Sequence, residues 1–293
     1  LMVIIWHYQQ FFLPYDPFSD LKILTNNREI QPFYEYLSLF YNYGNRGVDF
    51  FFLISGFVFS HVYLSEKNNT NFKIIEKQAH YLLNVMRIRV GSRIFVFNGF
   101  EGEFIAEVVQ IQNHTVECKL LEKTRHQQDE EELQLIFALV KKDRIFNIIE
   151  KCTELGVSSF NPFITERTQN HNYNLEKLRL YAIEASEQTR RLTIPKINDV
   201  QNLNLLINDW DANKSILFCN ENDGTPFMKI RNNLGKPVSI LVGPEGGFSK
   251  KELDFLNSFN FIQSISLGPR VLRSDTAAIS SVTCYQSKFG DWN

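Results

Sequence analysis

The stretch ILVGPEGGFSKKE, residues 240–252, decides how this chain is read. An apolar run with strand character ends at Val242. Gly243, Gly246 and Gly247 then permit positive φ or a close backbone approach, and Pro244 stiffens the turn. Ser249 followed by Glu252 has the spacing of a capping box, so a helix starts there, with free N–H groups just upstream. A donor-rich loop at the carboxyl end of a strand is where open α/β sheets bind their ligands. The loop has neither the GxxxxGK[ST] pattern nor GxGxxG, which disfavours the two common nucleotide-phosphate cradles.

A second loop, in SISLGPRVLRSDTAA (264–278), repeats the design. A strand ends at Leu267, Gly268-Pro269 turns the chain, and Ser274 or Asp275 is positioned to cap the next helix. Arg270 and Arg273 fall at the same strand end, where a ligand or phosphate would lie.

Working outward, strands and helices alternate. Predicted strands are 133–140, 160–165, 215–220, 238–243 and 264–268; predicted helices are 144–157 and 175–191, with others from Ser249 and Ser274. Apolar strands alternating with helices imply a parallel sheet covered on both faces. Upstream, Phe104, Ala106 and Val108 share one face of a predicted strand, and Val116, Cys118 and Leu120 share one face of the next. Asn98-Gly99 and Asn113-His114 mark turns. Short strands with tight turns predict a small β-barrel, and the acidic tract TRHQQDEEE (124–132) reads as the boundary after it.

The charge balance is close to neutral, −2 overall, so any nucleic-acid site must be a local basic patch. Arg87, Arg89 and Arg93 form one such cluster. Lys141, Lys142 and Arg144 form a second, and Arg190 and Arg191 a third. The cysteines, Cys118, Cys152, Cys219 and Cys284, are widely separated, with no CxxC or histidine pair at metal spacing. They read as reduced thiols of a cytoplasmic protein, and no metal is expected.

Six segments in order resemble the bacterial family that methylates N3 of a uridine in 16S ribosomal RNA. They are HYLLNVMRIRVGS (80–92), KKDRIFNIIEKCTELGV (141–157), NPFITERT (161–168), EASEQTRR (184–191, with Pro195 following), GPEGGFSKKE (243–252) and LGPRVLRSDTAA (267–278). Asp275 stands where that family's motif usually has Glu. The resemblance implies a PUA-like RNA-binding β-barrel over 60–132. A SPOUT-type α/β methyltransferase domain over 133–293 would follow, with a C-terminal trefoil knot. It also implies S-adenosylmethionine as cofactor, 16S rRNA in the 30S subunit as partner, and a homodimer.

Carried onto this sequence, three loops would hold the cofactor. The first is 217–221, with Leu217, Asn220 and Glu221. The second is Gly243, Pro244, Glu245, Gly246 and Gly247. The third runs through Leu267, Gly268, Arg270 and Leu272, with Thr276 just beyond. Uracil N3 carries a proton and is a poor nucleophile until it leaves, so a proton acceptor and an anion stabiliser are needed. Glu245 is the candidate acceptor or base-orienting group, although ordering its own loop accounts for it equally well. Arg273 is the candidate stabiliser of an anionic uracil oxygen.

Residues 1–59 have a different character. The first 64 residues hold 10 of the 26 Phe and 7 of the 11 Tyr. VIIWHYQQFF (3–12) and GVDFFFLISGF (47–57) resemble the start of a family of membrane acyltransferases, with His7 at that family's functional histidine. The run 48–64 falls short of the ~20 apolar residues of a span, and the rest of that fold is absent, so acyltransfer is rejected. The expected seam lies near Ser60, and the expected product is a cytoplasmic methyltransferase with a fused leader. Alternatives are a membrane-tethered methyltransferase, with residues 1–64 touching the bilayer, and a non-catalytic RNA-binding remnant.

Overall fold

The computed structural model describes residues 57–59, 71–128, 130–168, 173–221, 223–230 and 237–292. The acyltransferase-like leader lies outside the described residues, except for a strand at its end, and so does the polar loop around His171. The chain forms two compact units. One holds residues 71–96 and 105–122; the other holds 97–104 and everything from Lys123 onward.

The first sheet has five strands: β1 (Phe57–Phe59), β2 (Asn71–Ile74), β3 (Arg93–Phe97), β4 (Glu103–Gln112) and β5 (Thr115–Arg125), in the order β1-β3-β4-β5-β2. β1 belongs to this sheet although it precedes the expected seam at Ser60, so the sheet starts inside the stretch assigned to the leader. β2 runs antiparallel to β5, Phe72 opposite Cys118 and Ile74 opposite Val116. The alternation predicted for β4 and β5 holds: Phe104, Ala106, Val108, Val116, Cys118 and Leu120 are all buried. Asn113 and His114 join β4 to β5 at φ 48° and 59°. A two-residue hairpin turn with both positions left-handed matches the twist of the strands it links. Between β2 and β3, α1 (Glu76–His80) runs on into a wide helical turn, Tyr81–Val85, anchored by Ala79 and Leu82.

The second unit is built on a parallel sheet. In chain order its strands are β6 (Leu133–Ala138), β7 (Ser159–Ile164), β8 (Lys196–Ile197), β9 (Gln201–Asn202), β10 (Ser215–Cys219), β11 (Thr225–Pro226), β12 (Val238–Val242) and β13 (Ile262–Ser266). In space they run β11-β13-β10-β12-β6-β7-β8, with β9 also paired to β7. Every residue of β12 is buried, as a strand covered on both faces requires.

Side chains alternate between two cores. Leu135, Phe137, Leu217, Ile240 and Val242 face one way, under α2 (Lys142–Glu154) and α6 (Ser274–Lys288), with α3 (Leu175–Thr189) packed on α2. Ile136, Phe163, Ile216, Phe218 and Leu241 face the other, under α4 (Leu203–Asn208) and α5 (Lys250–Asn257). Each such apolar side chain stabilises the fold by about 1.5–3 kcal/mol on burial.

The predicted helix from Arg144 in fact starts at Lys142, and the strand predicted to begin at Ser264 begins at Ile262. α4 and the short strands β8, β9 and β11 carry no strong periodicity and were not predicted. Among the described residues no helix is long and apolar enough to cross a membrane.

Candidate active site

The strand order explains the site. β13, β10 and β12 are neighbours and parallel, so the loops leaving their carboxyl ends emerge side by side. Together they line a cavity of about 190 Å³. The end of β10 and the loop after it contribute Cys219, Asn220 and Glu221. The loop after β12 contributes Gly243, Pro244, Gly246, Gly247 and Phe248. The loop after β13 contributes Leu267, Gly268, Arg270 and Leu272. Strand ends Phe218, Val242 and Ile265 supply an apolar floor, with Leu253 and Ala277 from the helices.

The β12 loop is pinned at three points. Phe248 lies edge-on to Phe218, ring centroids 5.3 Å apart, and stacks on Phe163 at 6.3 Å. Glu252 is buried and uses both carboxylate oxygens. One accepts from the Ser249 N–H at 2.8 Å, completing the predicted capping box, and the other from the Glu166 N–H at 3.0 Å. Arg167 donates from Nη1 to the Gly246 carbonyl at 2.9 Å and also lines the cavity. Gly247 holds φ +65°, a conformation glycine adopts without steric cost.

The β13 loop is held differently. The cap expected from Ser274 or Asp275 is not made: Arg273 is the N-cap residue of α6 and has no side-chain cap bond. Ser274 instead donates its hydroxyl to the Gly243 carbonyl at 2.9 Å, tying one loop to the other. Asp275 approaches Asn147 with one oxygen at 3.5 Å; its other oxygen is buried without a partner in the described structure. Gly268 sits at φ +122°, and a Cβ there would meet nothing within 4 Å.

Most of the expected cofactor residues line the cavity, but three do not. Leu217 is fully buried in β10, because alternation turns it into the core beside Ile240. Thr276 is exposed on the first turn of α6, outside the wall. Glu245 also lies outside the wall, its carboxylate ion-paired with Arg144 from the first turn of α2. Arg273 is exposed next to the wall residue Leu272 but is not itself part of the lining. Arg167 and Phe248 line the cavity and were missed, and Cys219 lines it from within the expected 217–221 loop without having been singled out. Arg167 lies within the quoted NPFITERT segment, so the motif itself was the available signal.

Burial pushes the Cys219 thiol up to about 12, so it stays protonated at neutral pH and is no nucleophile. Among the described residues no cluster of three His, Cys, Asp or Glu side chains is arranged to hold a metal.

The basic clusters divide as well. In the first unit Arg87, Arg89 and Arg93 are all exposed and make no ion pair among the described residues, with exposed Val85 just before them and exposed Val90 among them. Lys141 and Lys142 are exposed at the start of α2, while Arg144 is tied to Glu245. Arg191 is turned to structural use. Its side chain is only 8% exposed, and its guanidinium pairs with Glu130 and donates to the carbonyls of Thr153 and Val157, each at 2.8 Å. Arg190 is the left-handed residue closing α3, and its carbonyl accepts from Arg125.

Comparison with known proteins fits this geometry. Residues 127–286 match the family described as RNA methyltransferase domain, and residues 74–121 match the RNA methyltransferase PUA domain. A ribosomal RNA small subunit methyltransferase E from Rickettsia conorii is 33% identical over 232 residues, covering 76% of this chain and 93% of the relative. The crystal structure of a ribosomal RNA small subunit methyltransferase E from Neisseria gonorrhoeae bound to S-adenosyl methionine superposes with a TM-score of 0.73 at 25% identity, covering 81% of this chain and 99% of that one. A putative methyltransferase from Legionella pneumophila, also with bound cofactor, gives a TM-score of 0.70 at 26% identity, covering 80% and 98%. With two domain matches in order and a relative of this identity aligned over nearly its whole length, this chain belongs to the ribosomal RNA small subunit methyltransferase E family.

Proposed function

We infer that this chain uses S-adenosylmethionine to methylate small-subunit ribosomal RNA, and that its target atom is N3 of a uridine in 16S rRNA within the 30S subunit. The observation that carries this reading is the cavity formed where three loops leave adjacent parallel strands, two of them the GPEGG and LGPRVLR segments. Its walls suit the cofactor. The apolar floor accepts a purine ring and a thioether chain. The N–H groups of Gly246 and Leu272, both wall residues, have no partner among the described residues. Glu221 and Arg270 in the wall offer opposite charges to an amino-acid tail. When bound, the cofactor supplies a methyl group on a sulfonium centre, which departs as the neutral thioether.

Residues next to the wall residues in sequence do the rest. The uracil N3–H proton passes to an acceptor, for which Glu245 is the candidate, oriented by Arg144. The charge left on the uracil oxygens is stabilised by Arg273, at the start of α6 and next to the wall residue Leu272. Arg87, Arg89 and Arg93 in the PUA-like unit, and Lys141 and Lys142 in the catalytic unit, are assigned to phosphate contacts that position the RNA without reading its sequence. Functional division near 60–132 and 133–293, a knotted path through the cofactor loops, a homodimer and a cytoplasmic setting complete the proposal. They rest on the family resemblance.

Mass spectrometry of small-subunit rRNA incubated with protein and methyl donor tests the reading. One added methyl on a uridine is expected, and its loss in Arg273→Ala. A version lacking residues 1–54, which keeps β1, should retain that activity. Failure of both the full chain and this version to methylate 30S subunits would sink the assignment.

A further inference from the structure

The NPFITERT segment has no part in the mechanism above, yet its last residues reach the cofactor loop. Thr165 and Thr168 close a tight turn after β7, the Thr165 N–H donating to the Thr168 hydroxyl at 2.9 Å and the two hydroxyls lying 3.0 Å apart. This turn is buried at both threonines and sets Glu166 and Arg167 outward. Arg167 crosses to the loop after β12, where its Nη1 meets the Gly246 carbonyl at 2.9 Å. Its stem also runs along the loop, since a Cβ on Gly246 would lie 3.6 Å from the Arg167 Cβ.

The peptide unit joining Gly246 to Gly247 is thereby held at both ends. Its carbonyl accepts from Arg167, and its N–H donates to the Pro244 carbonyl at 3.0 Å. Two consecutive glycines give this peptide more conformational freedom than any other in the loop. A charge-assisted bond from outside the loop removes that freedom before a ligand arrives. Such preorganisation shows in ligand affinity, because the ordering cost no longer falls on binding.

We propose that Arg167 is a positioning residue for the S-adenosylmethionine site, acting through the Gly246–Gly247 peptide. The proposal rests on the cofactor reading given above. Arg167 works on the loop and not on the reacting atoms, so its removal separates KM from kcat.

The test is calorimetric binding of S-adenosylmethionine to the full chain, with steady-state kinetics on 30S subunits. Arg167→Ala should weaken cofactor binding and raise its KM about tenfold, with kcat within about twofold of the parent. Arg167→Lys, which keeps a charged donor, should recover part of the loss. Arg167→Gln, with a neutral donor, should fall between Ala and Lys, and serves if the alanine variant does not fold. Unchanged affinity in Arg167→Ala or Arg167→Gln would overturn the proposal, as would a fall in kcat at constant KM. A parent protein that binds no S-adenosylmethionine would instead overturn the functional reading beneath it.

Discussion

After β12 the chain passes through Gly243–Phe248 into a helix that caps itself, Ser249 and Glu252 exchanging bonds. After β13 it passes through Gly268–Leu272 into a helix with no side-chain cap, whose first serine bonds to the other loop instead. The first loop is fixed to the body of the domain by an aromatic ring, a buried carboxylate and a guanidinium. The second is fixed mainly to the first. A hierarchy results, in which the β12 loop is the template and the β13 loop is laid against it.

The largest effect expected from breaking that hierarchy comes at Gly243. A Cβ there would lie 2.4 Å from the Phe248 ring, so the ring would have to shift from its packing against Phe163 and Phe218. Gly243→Ala should cost about 1–3 kcal/mol of stability and abolish measurable cofactor binding, read by thermal melting and calorimetry. Gly268→Ala meets no such wall, so its effect is confined to backbone strain at φ +122°. If the two alanine variants lose cofactor binding equally, the template is not where the contacts place it.

Next in size is Arg273→Ala, on the dependent loop. Methyl transfer should fall by about a hundredfold or more while S-adenosylmethionine affinity holds, since Arg273 is outside the cavity wall. Equal loss of affinity would show that Arg273 holds the cofactor.

The two helix starts give a smaller contrast. Glu252→Gln removes a charged acceptor from two backbone donors and should destabilise by about 1–3 kcal/mol. Ser274→Ala removes one neutral bond, worth about 0.5–1.5 kcal/mol. Denaturant unfolding of both variants would rank them, and the reverse order would undo the hierarchy.

The least effect near neutrality is the pH response of Cys219. The unfolded thiol ionises near 9.0 and the folded one near 12. Between those values the unfolded chain binds fewer protons, so stability falls as pH rises through that window and is unaffected below it. Cys219→Ala should flatten part of that fall, measured by melting temperature from pH 8 upward.

Much of this was legible in the sequence because the signals were local. The capping box at Ser249, the left-handed Asn113-His114 turn and the alternation of β4 depend on neighbouring residues alone. Leu217 turns into the core, and a loop motif carried over by resemblance does not reveal which face of β10 a residue occupies. Ser274 has the chemistry of a cap, but the helix starts one residue early, with Arg273 in the N-cap position, so Ser274 lies inside the first turn and its hydroxyl donates to the Gly243 carbonyl instead. Arg191 looked like surface charge because its acceptors, Thr153, Val157 and Glu130, are far away in sequence. Arg167 was passed over for the same reason: its partner at Gly246 is on another strand's loop.

The pair of hydrogen bonds accepted by Glu252 has a consequence for anyone rebuilding this enzyme. Because one carboxylate serves the N–H of Ser249 and that of Glu166, the glycine-rich loop is not a module that can be cut out at its flanking strand and helix. Grafted into another scaffold without residues 165–168, it would carry its sequence but lose its shape. The smallest transplantable unit is discontinuous, two segments separated by every element from α3 to β11.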